Sequence, residues 1–260
     1  MNETRTLLKQ ALDDLDIDAL RQEYLANDEF LFVEKFLPEA LLSRWQAELD
    51  QLRPRIHRNF IPRHKKGGSV DFNTLSKFAP TIREVYSSPE FFDFVARLTG
   101  AKIQHCPDSD LHRCALYAYT EPGDHIGWHY DTSYYRGQRF TVLVGLVDES
   151  TSKLAYRLHT KNNGHEVVEG EAATPPGCLV VFDGDKLHHA VTPLGEGQQR
   201  YIVTMEFVTD QSMHWFLRFV SNMKDAIAYF GFGRVFGARG ARGGDHGSDR
   251  GPKGLPPHAA

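Results

Sequence analysis

Along its first fifty positions the chain places Leu7, Leu8, Leu12, Leu15 and Leu20 at helical spacings. The run Pro38-Glu-Ala-Leu-Leu-Ser-Arg-Trp-Gln-Ala-Glu-Leu49 opens on a proline, which suits a first helical turn because its missing N–H has no partner there anyway. Together these predict helix from residue 5 to about 52. A further helix is expected from Pro89 to Leu98, where Gly100 supplies the stop.

Past Leu111 the pattern changes. Short β-rich runs at 111–119, 140–148, 154–159, 165–168, 178–182, 189–193 and 200–208 are separated by Gly, Pro and Asp. Many short strands with such punctuation predict a sandwich or jelly roll. The last run, Arg200-Tyr-Ile-Val-Thr-Met-Glu-Phe207, should put Arg200, Ile202 and Thr204 on one face. The expected fold class is mainly β with flanking helices (α+β): helices over 1–100 buttressing a jelly-roll core over 101–210.

Beyond residue 211, Trp215, Phe219, Met223 and Ile227 recur every four residues and predict a C-terminal helix over 211–230. Its apolar stripe suits core packing or a homodimer seam, with a membrane-surface helix as the other use of such a pattern. Nine glycines fall in the stretch 231–260, too little side chain to bury, so a disordered tail is expected there. Its Arg/Gly stretch at 237–244 has few cations, and acids follow at Asp245 and Asp249, which favours a solvated tail over an RNA-binding segment.

A chain of 260 residues, 41% hydrophobic and 25% charged, can bury one sizeable core, so a single domain over 1–230 is expected. A net charge of −4 argues against a broad nucleic-acid surface. No apolar run is long enough for a membrane span, and the N-terminus has neither the basic nor the apolar region of a secretion signal, so the expected compartment is cytoplasmic. Cys106, Cys114 and Cys178 lack metal-site spacing and read as buried free thiols.

The candidate chemistry begins at Gly127-Trp128-His129-Tyr130-Asp131. Residues i and i+2 of an extended segment share a face, so one imidazole and one carboxylate aim at a common point. A second histidine, His188 or His189, follows an apolar strand and a Gly/Asp turn, and Arg200 begins the next strand. Two histidines and a carboxylate on one face of an octahedral metal leave three positions open, the arrangement of non-heme Fe(II) oxygenases.

Over about residues 29–208 the chain resembles the 2-oxoglutarate- and Fe(II)-dependent dioxygenases, and within them the prolyl-4-hydroxylase-like branch. The family motif is His-x-Asp, several dozen residues, His-x-Val-x-Pro, then a basic residue on the next strand. Here it corresponds to His129-Tyr130-Asp131, His189-Ala190-Val191-Thr192-Pro193 and Arg200. The match selects His189 as the ligand and turns His188 toward the barrel wall or solvent. The resemblance implies a double-stranded β-helix (jelly roll, cupin-like) that uses Fe(II), 2-oxoglutarate and O2, with ascorbate as reductant in vitro. It implies iron held by His129, Asp131 and His189, and a cosubstrate pocket containing Arg200, Tyr119, Thr141 and Leu143. In related halogenating enzymes a small residue replaces the carboxylate and frees a site for halide. Asp131 is present here, so hydroxylation, desaturation or ring closure is the expected outcome. Two departures obscure the subfamily: Ser150-Thr-Ser-Lys153 stands where relatives often carry Gly-Gly, and Gly145 stands where some carry a second cosubstrate tyrosine.

For the substrate, six Lys/Arg and no acid fall between Arg53 and Lys66, with Gly67-Gly68 as a hinge. The segment 55–73 is expected to be a mobile lid, with Arg58 and Arg63 reaching an anionic group. Tyr134, Tyr135 and Arg136 are expected at the mouth. The expected partner is a small molecule, an amino acid or derivative bearing a carboxylate. The second reading is a peptidyl hydroxylase acting on a protein, and the third is a metal-binding jelly roll without turnover.

Overall fold

A computed structural model describes residues 2–131 and 135–212. The expected C-terminal helix, the Gly-rich tail and Tyr134 lie outside the described residues. Six α-helices are described: α1 (Glu3–Asp13), α2 (Ile17–Ala26), α3 (Glu39–Leu52), α4 (Phe72–Phe78), α5 (Pro80–Ser87) and α6 (Pro89–Thr99). The strands are β1 (Phe30–Val33), β2 (His57–Ile61), β3 (Lys65–Val70), β4 (Gln104–His105), β5 (Cys114–Tyr119) and β6 (His125–His129). They continue with β7 (Arg139–Glu149), β8 (Leu154–Leu158), β9 (Val168–Ala172), β10 (Leu179–Asp183), β11 (His188–Val191) and β12 (Gln199–Val208).

All recorded pairings are antiparallel, in the order β1-β10-β7-β12-β5-β3-β6-β11-β8-β9, with β2 beside β3 and β4 beside β12. The sheet curls into a double-stranded β-helix. A hydroxyl of β7 therefore reaches the end of β6, four strands away in that order: Thr141 Oγ lies 2.8 Å from Asp131 Oδ2.

Alternation along the strands sorts their side chains onto two faces. Tyr201, Val203, Met205 and Phe207 of β12, Phe140, Val142, Val144 and Leu146 of β7, and Cys114, Leu116 and Ala118 of β5 enter the main core. There they meet Trp45, Phe91, Val95 and Leu98 from the helices. Each Val, Leu, Met or Phe side chain among them contributes roughly 1.5–3 kcal/mol on burial. The opposite face of the same strands lines an interior cavity.

Local signals explain the helix ends. Asn2, Asp16, Asp71 and Ser88 each accept a backbone N–H of the following turn, and Gly100 closes α6 with φ of 69°. The expected helix over 5–52 is instead three helices interrupted by β1. Asp28 and Glu29 take left-handed backbone, and the apolar Phe30-Leu31-Phe32-Val33 pairs with β10. The expected strand at 165–168 is displaced to β9, whose Glu- and Gly-containing sequence is held by pairing with β8 at the sheet edge. The expected mobile lid is also corrected. Residues 57–70 form the β2–β3 hairpin, and β3 is hydrogen-bonded to both β5 and β6. Gly67 and Gly68 lie inside the paired β3 strand, and Gly68 permits a close approach, since a Cβ there would lie 2.3 Å from Ile56 and 3.4 Å from the Ala118 carbonyl.

Candidate active site

The β6 strand ends in a bulge. His129 lies opposite His189 while Ile126 lies opposite Val191, so three steps on β6 match two on β11. The extra residue lets both Ile126 and His129 face the cavity, a common use of bulges beside sites. Asp131 follows on the exit from β6, and Gly184, in the Asp-Gly turn after β10, lies against it. A Cβ at Gly184 would sit 2.9 Å from both the Cβ and the carbonyl of Asp131, so only glycine allows this approach.

The ligand atoms of His129, Asp131 and His189 lie within 4.8 Å of one another. His129 Nε2 is 3.4 Å from Asp131 Oδ1, and His189 Nε2 is 3.9 Å from Asp131 Oδ2. The Nδ1 atoms face away, toward the carbonyls of Gly127 (2.8 Å) and Leu187 (3.1 Å). A carbonyl can only accept, so each Nδ1 carries the proton and each Nε2 lone pair turns toward the carboxylate. Burial pushes the His189 imidazole down to about 4, which leaves it neutral with its Nε2 lone pair free for a metal. Burial alone would raise Asp131, but its histidine neighbours prevail and hold the carboxyl far below its ordinary range. Despite burial, the Asp131 carboxylate holds the His129 imidazole above its ordinary value, and the two Nε2 atoms with that carboxylate form a donor set that fits a divalent transition metal.

Arg200 lies in the same cavity and is fully buried. Its Nε donates to Thr174 Oγ at 3.0 Å and its Nη1 to Ser152 Oγ at 3.2 Å. Burial pushes the guanidinium below its ordinary value. Among the described residues no carboxylate is within ion-pair distance of it. Ser152, in the segment that departs from the Gly-Gly pattern, is thus a support for the arginine. Gly145 has no space for a tyrosine, because a Cβ would lie 2.2 Å from the Pro175 carbonyl.

Tyr119, Thr141 and Leu143 line the cavity with the triad and Arg200, so the residues expected to hold iron and cosubstrate converge on one space. The Tyr119 ring centroid is 5.7 Å from Arg200 Cζ. Thr141 differs from expectation in one respect: its hydroxyl is engaged by Asp131 and by Glu206, whose Oε2 is 3.1 Å away. His188 turns outward as expected and stacks on Tyr130 at 4.8 Å.

The expected substrate contacts are not brought to the cavity. Arg58 makes a two-pronged pair with the buried Asp124, at 2.8 and 2.6 Å, and pins the β5–β6 turn. Arg63 is exposed in the β2–β3 turn with φ of 64°. Tyr135 is buried beside Cys106 and Val208, and its hydroxyl donates to Asp110 at 2.7 Å. Arg136 is exposed. Lys65, His64, Ser152, Thr174 and Glu206 are site residues that sequence reasoning missed. Strand register brings Lys65 and Glu206 here, the turns and loops between strands bring His64, Ser152 and Thr174, and no spacing in the chain announces it.

Comparison with solved structures finds the same architecture repeatedly. A prolyl hydroxylase from Trichoplax adhaerens, in complex with a hypoxia inducible factor peptide fragment, aligns at TM-score 0.62 and 16% identity, covering 82% of this chain and 95% of that one. The non-heme alpha ketoglutarate dependent epimerase SnoN of nogalamycin biosynthesis aligns at 0.60 and 14%, covering 74% and 81%. A 2OG-Fe(II) oxygenase family oxidoreductase from Burkholderia pseudomallei aligns at 0.58 and 11%, covering 78% and 95%. The chain has the fold of the 2-oxoglutarate- and Fe(II)-dependent oxygenases. Residues 12–136, just under half of the chain, match the family model HalD, Halogenase D. That match contains His129 and Asp131 but stops short of His189 and Arg200. No curated protein matches the chain.

Proposed function

We propose that the protein is a non-heme Fe(II)- and 2-oxoglutarate-dependent oxygenase that oxidises an unactivated C–H bond of a small molecule, releasing succinate and CO2. The observation that carries this reading is the cavity itself: a 2-His-1-carboxylate set and a buried Arg200 without a carboxylate partner among the described residues. A buried cation of this kind calls for an anion, and a planar guanidinium suits the distal carboxylate of 2-oxoglutarate. The iron, when bound, supplies the oxygen activation that no side chain can perform. The protein's own part is positional. The Gly127 and Leu187 carbonyls set the two imidazoles, Thr141 and Gly184 set the carboxylate, and Ser152 and Thr174 aim the arginine.

The family model suggests halogenation, but Asp131 occupies the position that halogenating enzymes leave open for halide. Oxygenation is therefore the favoured outcome, and assay in chloride buffer should give a product carrying oxygen and no chlorine. A peptidyl hydroxylase is the second reading, favoured by the likeness to the prolyl hydroxylase in complex with a peptide. The test of the main reading is conversion of 2-oxoglutarate to succinate by the Fe(II)-loaded protein with O2 and ascorbate. Screening free amino acids against model peptides for stimulation of that conversion separates the first reading from the second. No conversion under any condition would remove both and leave a metal-binding jelly roll.

A further inference from the structure

Six cations between Arg53 and Lys66 were candidates for reaching a substrate, and the structure separates them. Arg53 is held by the Tyr201 hydroxyl at 2.6 Å, Arg58 by Asp124, and Lys66 by the Pro122 carbonyl at 2.9 Å and Glu121 at 3.4 Å. Arg55 lies over the Phe78 ring and donates to the Gln51 carbonyl, and Arg63 is exposed. Lys65 is the exception. It lies directly opposite Ile126, and residues opposite each other on antiparallel strands point to the same side. Ile126 lines the cavity, so Lys65 faces inward. Its Nζ sits 4.4 Å from the centroid of Tyr117, another cavity residue, and among the described residues it has no ion-pair partner. Burial pushes the ammonium down to about 8, against the attraction of Asp131.

The charges around the cavity show what is left over. Arg139 is engaged by Glu206 at 2.9 Å and is not turned toward a ligand. On the oxygenase reading, the two charges of Fe(II) are matched by Asp131 and the chelating carboxylate of 2-oxoglutarate, and Arg200 by the distal one. Among the described residues Lys65 is left as the inward cation that no carboxylate contacts, half-buried and resting on an aromatic face. A cation taken out of water without an anion is costly, and the cost is recovered when a bound anion meets it. We propose that the Lys65 ammonium anchors an anionic group of the substrate, so that the enzyme acts on small molecules bearing a carboxylate. This rests on the oxygenase reading and narrows it.

The test compares acids with their own amides. Under argon, the protein loaded with Fe(II) and 2-oxoglutarate is titrated calorimetrically with L-amino acids and short straight-chain carboxylic acids, each beside its carboxamide. The parent should prefer at least one acid over its amide. In Lys65→Met that acid should bind roughly thirtyfold or more weakly, the loss expected on removing one partner of a buried charge pair. The acid-to-amide ratio should fall toward unity, a change that general loss of folding would not produce. Lys65→Arg, which keeps the charge, should retain the preference. The proposal is overturned if no acid of the panel is preferred over its amide, or if Lys65→Met keeps the preference. It is also overturned if Lys65→Met shifts the 2-oxoglutarate titration while leaving the acid untouched. Because binding is read without turnover, these failures are distinct from a failure of the parent to form succinate.

Discussion

The two faces of β12 serve different ends. Tyr201, Val203, Met205 and Phe207 point outward into the helices, where burial of apolar surface favours folding. Arg200, Ile202, Thr204 and Glu206 alternate with them and point into the cavity, where two of four residues are buried ionisable groups. Burying such groups costs free energy that pairing recovers only in part, and Arg200 has no carboxylate partner among the described residues, so the inner face weakens the fold that the outer face stabilises. One strand thus carries both scaffold and site, and the period of two keeps them apart.

The comparison is tested most severely at the triad. His129→Ala, Asp131→Ala and His189→Ala should each abolish 2-oxoglutarate turnover and weaken iron binding, since three ligands define the face. The metal-free variants should melt within about 2–4 °C of the parent, the shift that roughly 1 kcal/mol produces in a domain of this size. Iron affinity retained in His189→Ala and lost in His188→Ala would exchange the roles of the two histidines. The converse experiment is Phe207→Ala. Phe207 is fully buried among Tyr86, Phe91 and His105, with ring centroids at 5.6, 6.2 and 5.4 Å. Its truncation should cost about 3–5 kcal/mol in denaturant unfolding, while protein still folded keeps its iron affinity.

A subtler test concerns Glu206. Burial raises its carboxyl to about 7 in spite of Arg139, from an ordinary value of 4.5. The folded state then holds a proton that the unfolded chain releases, so this group's contribution is fully present below about 4.5 and is lost as pH rises toward about 7. Glu206→Gln should remove that slope. Relative to the parent, the variant should gain stability between about pH 5 and about pH 7.5, by at most about 1.4 kcal/mol per pH unit. A difference that does not change with pH would mean that Glu206 stays ionised throughout.

The same distinction explains what could be read in the chain. The strands β5, β7, β10 and β12 carry apolar residues on their outer faces, so pattern alone located them. The triad was legible because its order, His-x-Asp then His-x-Val-x-Pro then Arg, is a local signature repeated at strand ends. β3 was not legible: Lys65-Lys-Gly-Gly-Ser-Val70 has almost no apolar content and is a strand because β5 and β6 supply backbone partners on both sides. Its misreading as a lid also hid Lys65, whose inward direction follows from register opposite Ile126. β1 was lost inside a helical stretch because four apolar residues fit either period. Glu206, Ser152 and Thr174 meet the site only after the sheet has curled, which no sequence spacing encodes.

The central claim is that Arg200 and the triad make one cosubstrate site. Its most direct test is an anaerobic titration of the Fe(II)-loaded protein with 2-oxoglutarate, in the parent and in Arg200→Ala. Iron binding should survive the substitution, because the three ligands are untouched. Affinity for 2-oxoglutarate should fall by about 2–5 kcal/mol, and lysine at the position should restore only part of it, since it keeps the charge and loses the planar fork. Equal 2-oxoglutarate affinity in the parent and in Arg200→Ala would contradict the account.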